Sequence, residues 1–173
     1  MNRFLLSIAI LSATLRLTQA QEVTKIVKYS PSLNVGYEKV LQEKRSVYVG
    51  ASLFSAAGLS AVGIKGEYRF YLSNSKQAPK GFFVAPTALL WYVNSKVLDD
   101  AFNSLGAGEK TVSGAYVQVG GIAGHQWIIK NKFSIEPCFG LSAGTNLGGE
   151  PLSGIFSGMV LPLVALRVGY VLK

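Results

Sequence analysis

The chain is poor in the side chains that do chemistry. It has one cysteine and one histidine in 173 residues. A single thiol forms no internal disulfide, and one histidine with one cysteine falls short of the usual zinc ligand set. Long hydrophobic runs are missing too. Beyond the first twenty residues nothing approaches the roughly 20 continuous apolar residues of a membrane-crossing helix, which excludes a helical membrane protein. Charged residues are sparse, at 15%, with nine acids against 17 bases. The formal charge of +8 would suit an anionic partner. The bases are scattered, however, with small clusters at Lys44-Arg45, Lys76/Lys80 and Lys130/Lys132. Each cluster falls in an expected turn, so these read as solvated turns, and nucleic acid is not an expected partner.

What is present is hydrophobicity in alternation. Apolar residues make up 49% of the chain and there are 19 glycines, a poor fit to an ordinary soluble domain. A transmembrane barrel hides its apolar content by alternating it with polar residues, so it carries no long greasy run. The closing stretch shows the pattern most plainly. Val164, Leu166, Val168, Tyr170 and Leu172 share one face, opposite Ala165, Arg167, Gly169 and Val171. Such a terminal strand closes a barrel against its first strand.

The first residues read as a secretory signal. Asn2-Arg3 gives a positive start, Phe4 to Leu15 is largely apolar, and Thr18-Gln19-Ala20 supplies small residues for cleavage. The expected organisation is a signal peptide over 1–20, a mature chain from Gln21 with charge +6 once Arg3 and Arg16 are gone, and one barrel domain over 21–173. No cysteine stands near the cleavage point to take a lipid.

Short Lys-containing breaks at Gln42-Glu-Lys-Arg45, 73–80 and 130–132 separate longer Gly- and Ser-rich connections at 96–110 and 146–157. Outer-membrane barrels pair short periplasmic turns with longer outer loops. With the three short breaks as periplasmic turns, the expected fold is all-β, an eight-stranded antiparallel up-and-down transmembrane β-barrel. Its strands are expected near 23–29, 32–41, 46–57, 61–72, 81–95, 111–129, 133–145 and 158–172. The fifth is apolar on both faces and its sidedness stays open.

Alternation puts Glu38, Glu67, Arg69, Glu136 and Arg167 on the polar side of their strands. Eight strands enclose a space just wide enough for side chains to fill, and buried charges survive there only when paired. An ionic plug is therefore expected rather than an open pore. The aromatics Tyr37, Tyr68, Phe70, Trp127, Phe133 and Tyr170 fall near turn-proximal strand ends, with Trp91 and Tyr92 toward a loop-proximal end. Two such girdles mark the two interfaces of a membrane barrel.

Five segments carry a family resemblance: Asn34-Val-Gly-Tyr-Glu-Lys-Val-Leu41, Glu67-Tyr-Arg-Phe-Tyr-Leu72, Ala78-Pro-Lys-Gly-Phe-Phe-Val84, Gly124-His-Gln-Trp127 and Arg167-Val-Gly-Tyr170. Together they resemble a family of small outer-membrane β-barrels of Gram-negative bacteria that is itself a domain of unknown function, with the eight-stranded architecture of OmpX and OmpA. The chain departs from that pattern at His125, at Ala85 and in its last residues, Val-Leu-Lys. The resemblance implies the cell outer membrane, contact with outer-membrane lipid and lipopolysaccharide, and the barrel assembly machinery during biogenesis. It brings no activity and no functional partner.

The remaining candidates read as structural. His125 sits beside Trp127 near a turn, as an interfacial histidine does, and Cys138 falls on an inward face as a small buried residue. The stretch Gly106-Ala-Gly-Glu-Lys-Thr111 lacks the glycine before lysine and the helix that a phosphate loop needs. Asp99, Asp100 and Glu109 share a loop and read as solvated rather than as a cation site. The three inward glutamates, with two arginines beside them, read as a salt-bridge network rather than an acid–base pair. The expectation is a non-enzymatic barrel without cofactor or metal, serving envelope structure or surface interaction through loops 96–110 and 146–157. Two alternatives stand beside it. A lipid-modifying barrel enzyme would need polar catalytic residues on its outer face, and a soluble periplasmic barrel binding a small apolar ligand would reverse the faces.

Overall fold

Alternating side chains build a closed sheet in the computed structural model, which describes residues 25–31, 34–56, 59–74, 77–95, 112–149 and 160–172. The strands are β1 (Lys25–Ser30), β2 (Asn34–Gln42), β3 (Arg45–Ala56), β4 (Leu59–Tyr71), β5 (Gly81–Ser95), β6 (Val112–Ile129), β7 (Phe133–Gly149) and β8 (Val160–Leu172). Each pairs antiparallel with its neighbours in sequence, and β8 pairs back to β1. Closure leaves no full-length sheet edge, which is how a β-only chain satisfies its backbone donors and acceptors. One end carries the start of β1, the end of β8 and the links β2–β3, β4–β5 and β6–β7. We call it the turn end and the opposite one the loop end.

Burial follows the strand period of two. In β1 it alternates from Lys25 (exposed) and Ile26 (buried) through Tyr29 (exposed) and Ser30 (buried). The faces expected for the second, third, fourth, seventh and eighth strands are those observed. The fifth is now settled: Phe83, Ala85, Thr87 and Leu89 point inward, while Phe82, Pro86, Ala88 and Leu90 point outward. Where strand ends differ from expectation they do so by one to four residues, most at the end of β7. The first strand runs 25–30 instead of 23–29, and its residues 23 and 24 lie outside the described set. β7 continues to Gly149, so 146–149 are strand rather than loop. The expected signal peptide, the loop 96–110 with Asp99, Asp100 and Glu109, and residues 150–157 lie outside the described residues.

Inverted packing is the main fact of this fold. Its outer face carries Val27, Val35, Val49, Leu53, Ile64, Leu90, Val119, Phe139, Leu141, Val164, Leu166 and Val168, all exposed. Its fully buried side chains include Arg69, Lys28, Glu38, Glu136 and Gln126. Among the described residues, two small apolar clusters form inside, one around Phe83, Ala85 and Ile122 and one of Ile26 and Val171.

The wall is uneven. Only Lys25–Tyr29 of β1 pair with β8, at Val168–Leu172. Among the described residues, Val160–Arg167 have no partner on that side, and Leu53–Ala56 of β3 rise past the last β2 pair at Asn34↔Ser52. The short β1–β2 hairpin thus leaves a notch in the loop-end half of the wall. Two missing strands at sheet spacing make it roughly 14 Å across. The ladders also skip pairs opposite Pro86 in β4–β5 and Pro137 in β6–β7, where proline has no N–H to donate.

Inward glycines let the strands curve and fill a narrow interior. A Cβ on Gly140 would stand 2.1 Å from the carbonyl oxygen of Gly121, which cannot move aside, whereas one on Gly66 would meet nothing. Gly140→Val is therefore expected to cost about 3 kcal/mol, the upper end of overpacking effects, or more. Gly66→Ala should be neutral or stabilise by about 0.5 kcal/mol. Urea titration of the refolded barrel, followed by heat-dependent gel mobility, measures both.

Candidate functional site

The centre of the molecule is a charged layer inside the turn-end half of the barrel. Every strand contributes to it. β1 sends Lys28, β2 Glu38, β3 Ser46 and Tyr48, and β4 Glu67 and Arg69. Phe83 comes from β5, Gln126 from β6, Glu136 from β7 and Arg167 from β8. Each lies on an inward position of its strand, so alternation delivers all of them to one space. Glu136 and Arg167 are direct cross-strand neighbours, while Lys28 and Glu38 come from the two arms of one hairpin.

All five charges expected from the sequence meet here. Arg69 binds Glu67 at 2.6 Å and Glu136 at 2.7 Å. Arg167 spans the same two carboxylates, at 2.6 Å to Glu67 and 2.8 Å to Glu136. Two guanidiniums bridging two carboxylates make a cyclic array with paired N–H donors, the strong geometry for such contacts. Glu38 lies 3.3 Å from Arg69 and accepts from Ser46 Oγ.

Lys28 is the residue that sequence reasoning missed. Its ammonium is wholly buried and contacts both Glu38 and Glu136, and it donates to Gln126 Oε1 at 2.9 Å. Lys65, on the edge of the layer, reaches Glu67 at 2.9 Å. The count becomes four cations to three carboxylates, where the sequence reading had two to three. A surplus of inward glutamate was itself the signal, because a buried carboxylate without a cation is too costly to keep.

Aromatic rings and hydroxyls complete the layer. The Tyr48 ring lies 4.8 Å from the Arg69 guanidinium carbon and 4.6 Å from that of Arg167. The Phe83 ring lies 4.7 Å from the same Arg69 carbon. These are cation–π distances. Tyr48 can lie there because Gly36 and Gly50 have no side chains, and a Cβ on Gly36 would fall 2.1 Å from its hydroxyl oxygen. The Tyr71 hydroxyl stands 2.7 Å from Glu38 and 2.8 Å from Gln126, and donates to one at a time.

Each carboxylate of the layer is held by at least two cations, while the buried amide nitrogen of Gln126 has no hydrogen-bond partner among the described residues. Cys138 is buried and inward. His125 points outward beside Trp127, with ring centroids 4.3 Å apart. Of the expected interface aromatics, Tyr37, Tyr68, Phe70, Trp127 and Tyr170 stand on the outer face toward the turn end. Trp91 is a correction. It packs inward over Gly63, whose Cβ would meet the indole at 2.5 Å, and Tyr92 is the outward residue. A strand apolar on both faces had concealed which aromatic faced out.

Residues 4–144 match the model of a family described as protein of unknown function (DUF3575), and the chain belongs to that family. Comparison with characterised proteins and with solved structures gives no match. The matched region takes in the layer's contributors from β1 to β7, with Arg167 beyond it.

Removal of one partner tests the layer. Glu67→Ala leaves Arg69 and Arg167 sharing Glu136, and Glu136→Ala strips contacts from Lys28, Arg69 and Arg167 at once. Each is expected to destabilise by about 3–5 kcal/mol, the cost of orphaning a buried charge, with Glu136→Ala the larger. Urea midpoints of the refolded variants measure this, and a near-neutral Glu67→Ala would refute a buried network.

Proposed function

We propose that this chain is a non-enzymatic transmembrane β-barrel of a Gram-negative outer membrane, sealed by its ionic layer, with a structural or surface-interaction role exercised at its loop end. One observation carries the reading. The outward face of all eight strands is apolar across its middle, and its only charged residues among those described, Lys25, Lys39 and Arg45, lie at the turn end. In water such a surface would be a continuous apolar patch far beyond what soluble monomers expose. In a bilayer it is the expected lipid belt, with charge at one interface.

Other features agree. Each turn-end link carries lysine, the two longest connections, 96–111 and 150–159, lie at the other end, and aromatic side chains gather outside near the turns. The first twenty residues read as an export signal. The soluble-barrel alternative requires apolar side chains inside and the charged set in water, and the observed faces are the reverse. A lipid-modifying enzyme requires polar catalytic residues on the outer wall near the loop end. The described outer positions there are mainly apolar or small; Ser55, Ser60, Asn94 and Ser113 form a polar row across β3–β6 with Thr145 apart on β7, and no histidine or carboxylate stands among them.

Cell fractionation with boiled and unboiled gel samples tests the assignment. Recovery with the outer membrane and a heat-dependent mobility shift is expected, and recovery in the soluble periplasmic fraction would overturn it. Val49→Arg, in the middle of the outer face of β3, is expected to cost about 2–4 kcal/mol of bilayer folding stability. Planar-bilayer recordings of the wild-type barrel are expected to show no stable current, because the charged layer closes the lumen.

A further inference from the structure

The described residues leave the loop-end half of the lumen unfilled. Beyond the charged layer lies a cavity of about 340 Å³ walled by Phe54, Ala61, Trp91, Val93, Tyr116 and Gln118. That volume, those aromatic walls and a few polar groups match the usual anatomy of a small-molecule site. A second space of about 120 Å³ shares Asn34 and Trp91 with the first and reaches down to Tyr48, Lys65 and Arg167. The two spaces therefore meet at Trp91, with aromatic surface on the loop side and cations on the layer side.

The floor carries surplus positive charge. Glu67 is already held by Arg69 and Arg167 at 2.6 Å each, so Lys65 is a third cation on one carboxylate. Lys65 is also the most exposed member of the layer, at 12% against 0–4% for the ion-paired groups beneath it. Its exposure is toward the cavity whose wall it forms.

The same cavity reaches the opening in the wall. Leu163, Val164 and Ala165 line the smaller space, and they belong to the stretch of β8 that has no β1 partner among the described residues. Val164 is an outward residue, 76% exposed, so the internal space extends to the rim of the notch above the β1–β2 hairpin.

We infer that the upper lumen is a binding site for an amphipathic monoanion, a molecule with one apolar or aromatic body and one acidic group. The acidic group sits at Lys65, and the body packs against Trp91, Tyr116 and Phe54. The site depends on the barrel's interior alone. That the molecule arrives from surrounding lipid through the notch rests on the membrane reading above, which fractionation tests separately.

The chain has two tryptophans, so Trp127→Phe leaves Trp91 as the sole indole reporter in the refolded barrel. Titration with anilinonaphthalene sulfonate is expected to quench Trp91 saturably by energy transfer. Its neutral counterpart, phenylnaphthylamine, reports the apolar walls alone. Lys65→Gln should weaken the sulfonate about tenfold, the worth of one charge-assisted contact, and leave the neutral probe essentially unchanged. Glu67 keeps both arginines in that variant, and heat-dependent gel mobility checks that it folds. Ala61→Phe, which fills the larger cavity, should abolish both signals. Absence of saturable quenching, equal loss of both probes in Lys65→Gln, or full binding in Ala61→Phe would each overturn the inference.

Discussion

The structure depends on a charge-paired interior replacing a hydrophobic core. A barrel of eight strands has little internal volume, and here much of it is given to Lys28, Glu38, Glu67, Arg69, Glu136 and Arg167. Desolvating six charges is expensive, and the expense is offset only if every one finds partners at short range. That demand reaches outward through the fold. It fixes which residue of each strand faces in, because a one-residue slip would swap the charged set with the apolar set. It also requires Gly36 and Gly50, so that Tyr48 can cover two guanidiniums at once. The order of the strands follows as well, since Lys28 reaches Glu136 only when the first strand lies beside the last.

Much of this was legible in the chain because polar and apolar residues alternate cleanly in β2, β3, β4, β7 and β8. Glu38, Glu67, Arg69, Glu136 and Arg167 could be assigned to one interior from that rule alone. Lys28 could not. Its strand is six residues long, lysine occurs on both faces at Lys25 and Lys28, and the inward set also contains Ile26, so alternation there is ambiguous. Trp91 was hidden for the opposite reason. β5 is apolar on both faces, and only its register, with Trp91 opposite Gly63, shows which way the indole turns. The extension of β7 to Gly149 was obscured by Asn146, Gly148 and Gly149, whose composition resembles a loop although they continue the ladder to β6.

The interior divides into two environments along the barrel axis. The turn-end half holds the ions in dense contact. Among the described residues, the loop-end half carries aromatic surface and unfilled space, and Lys65 stands at the boundary between them.

The brevity of β1 shapes how the molecule breathes. The seam that makes the cylinder is five residue pairs long and the β1–β2 seam beside it six, the two shortest in the barrel. Local opening follows the weakest set of backbone hydrogen bonds, so fluctuations of the wall concentrate where the first strand meets the last. The charged layer lies directly behind that seam, with Lys28 on one side and Arg167 on the other, each gripping Glu136. Side-chain ion pairs thus act as the clasp for a backbone zipper too short to hold by itself. The cylinder is kept shut from within.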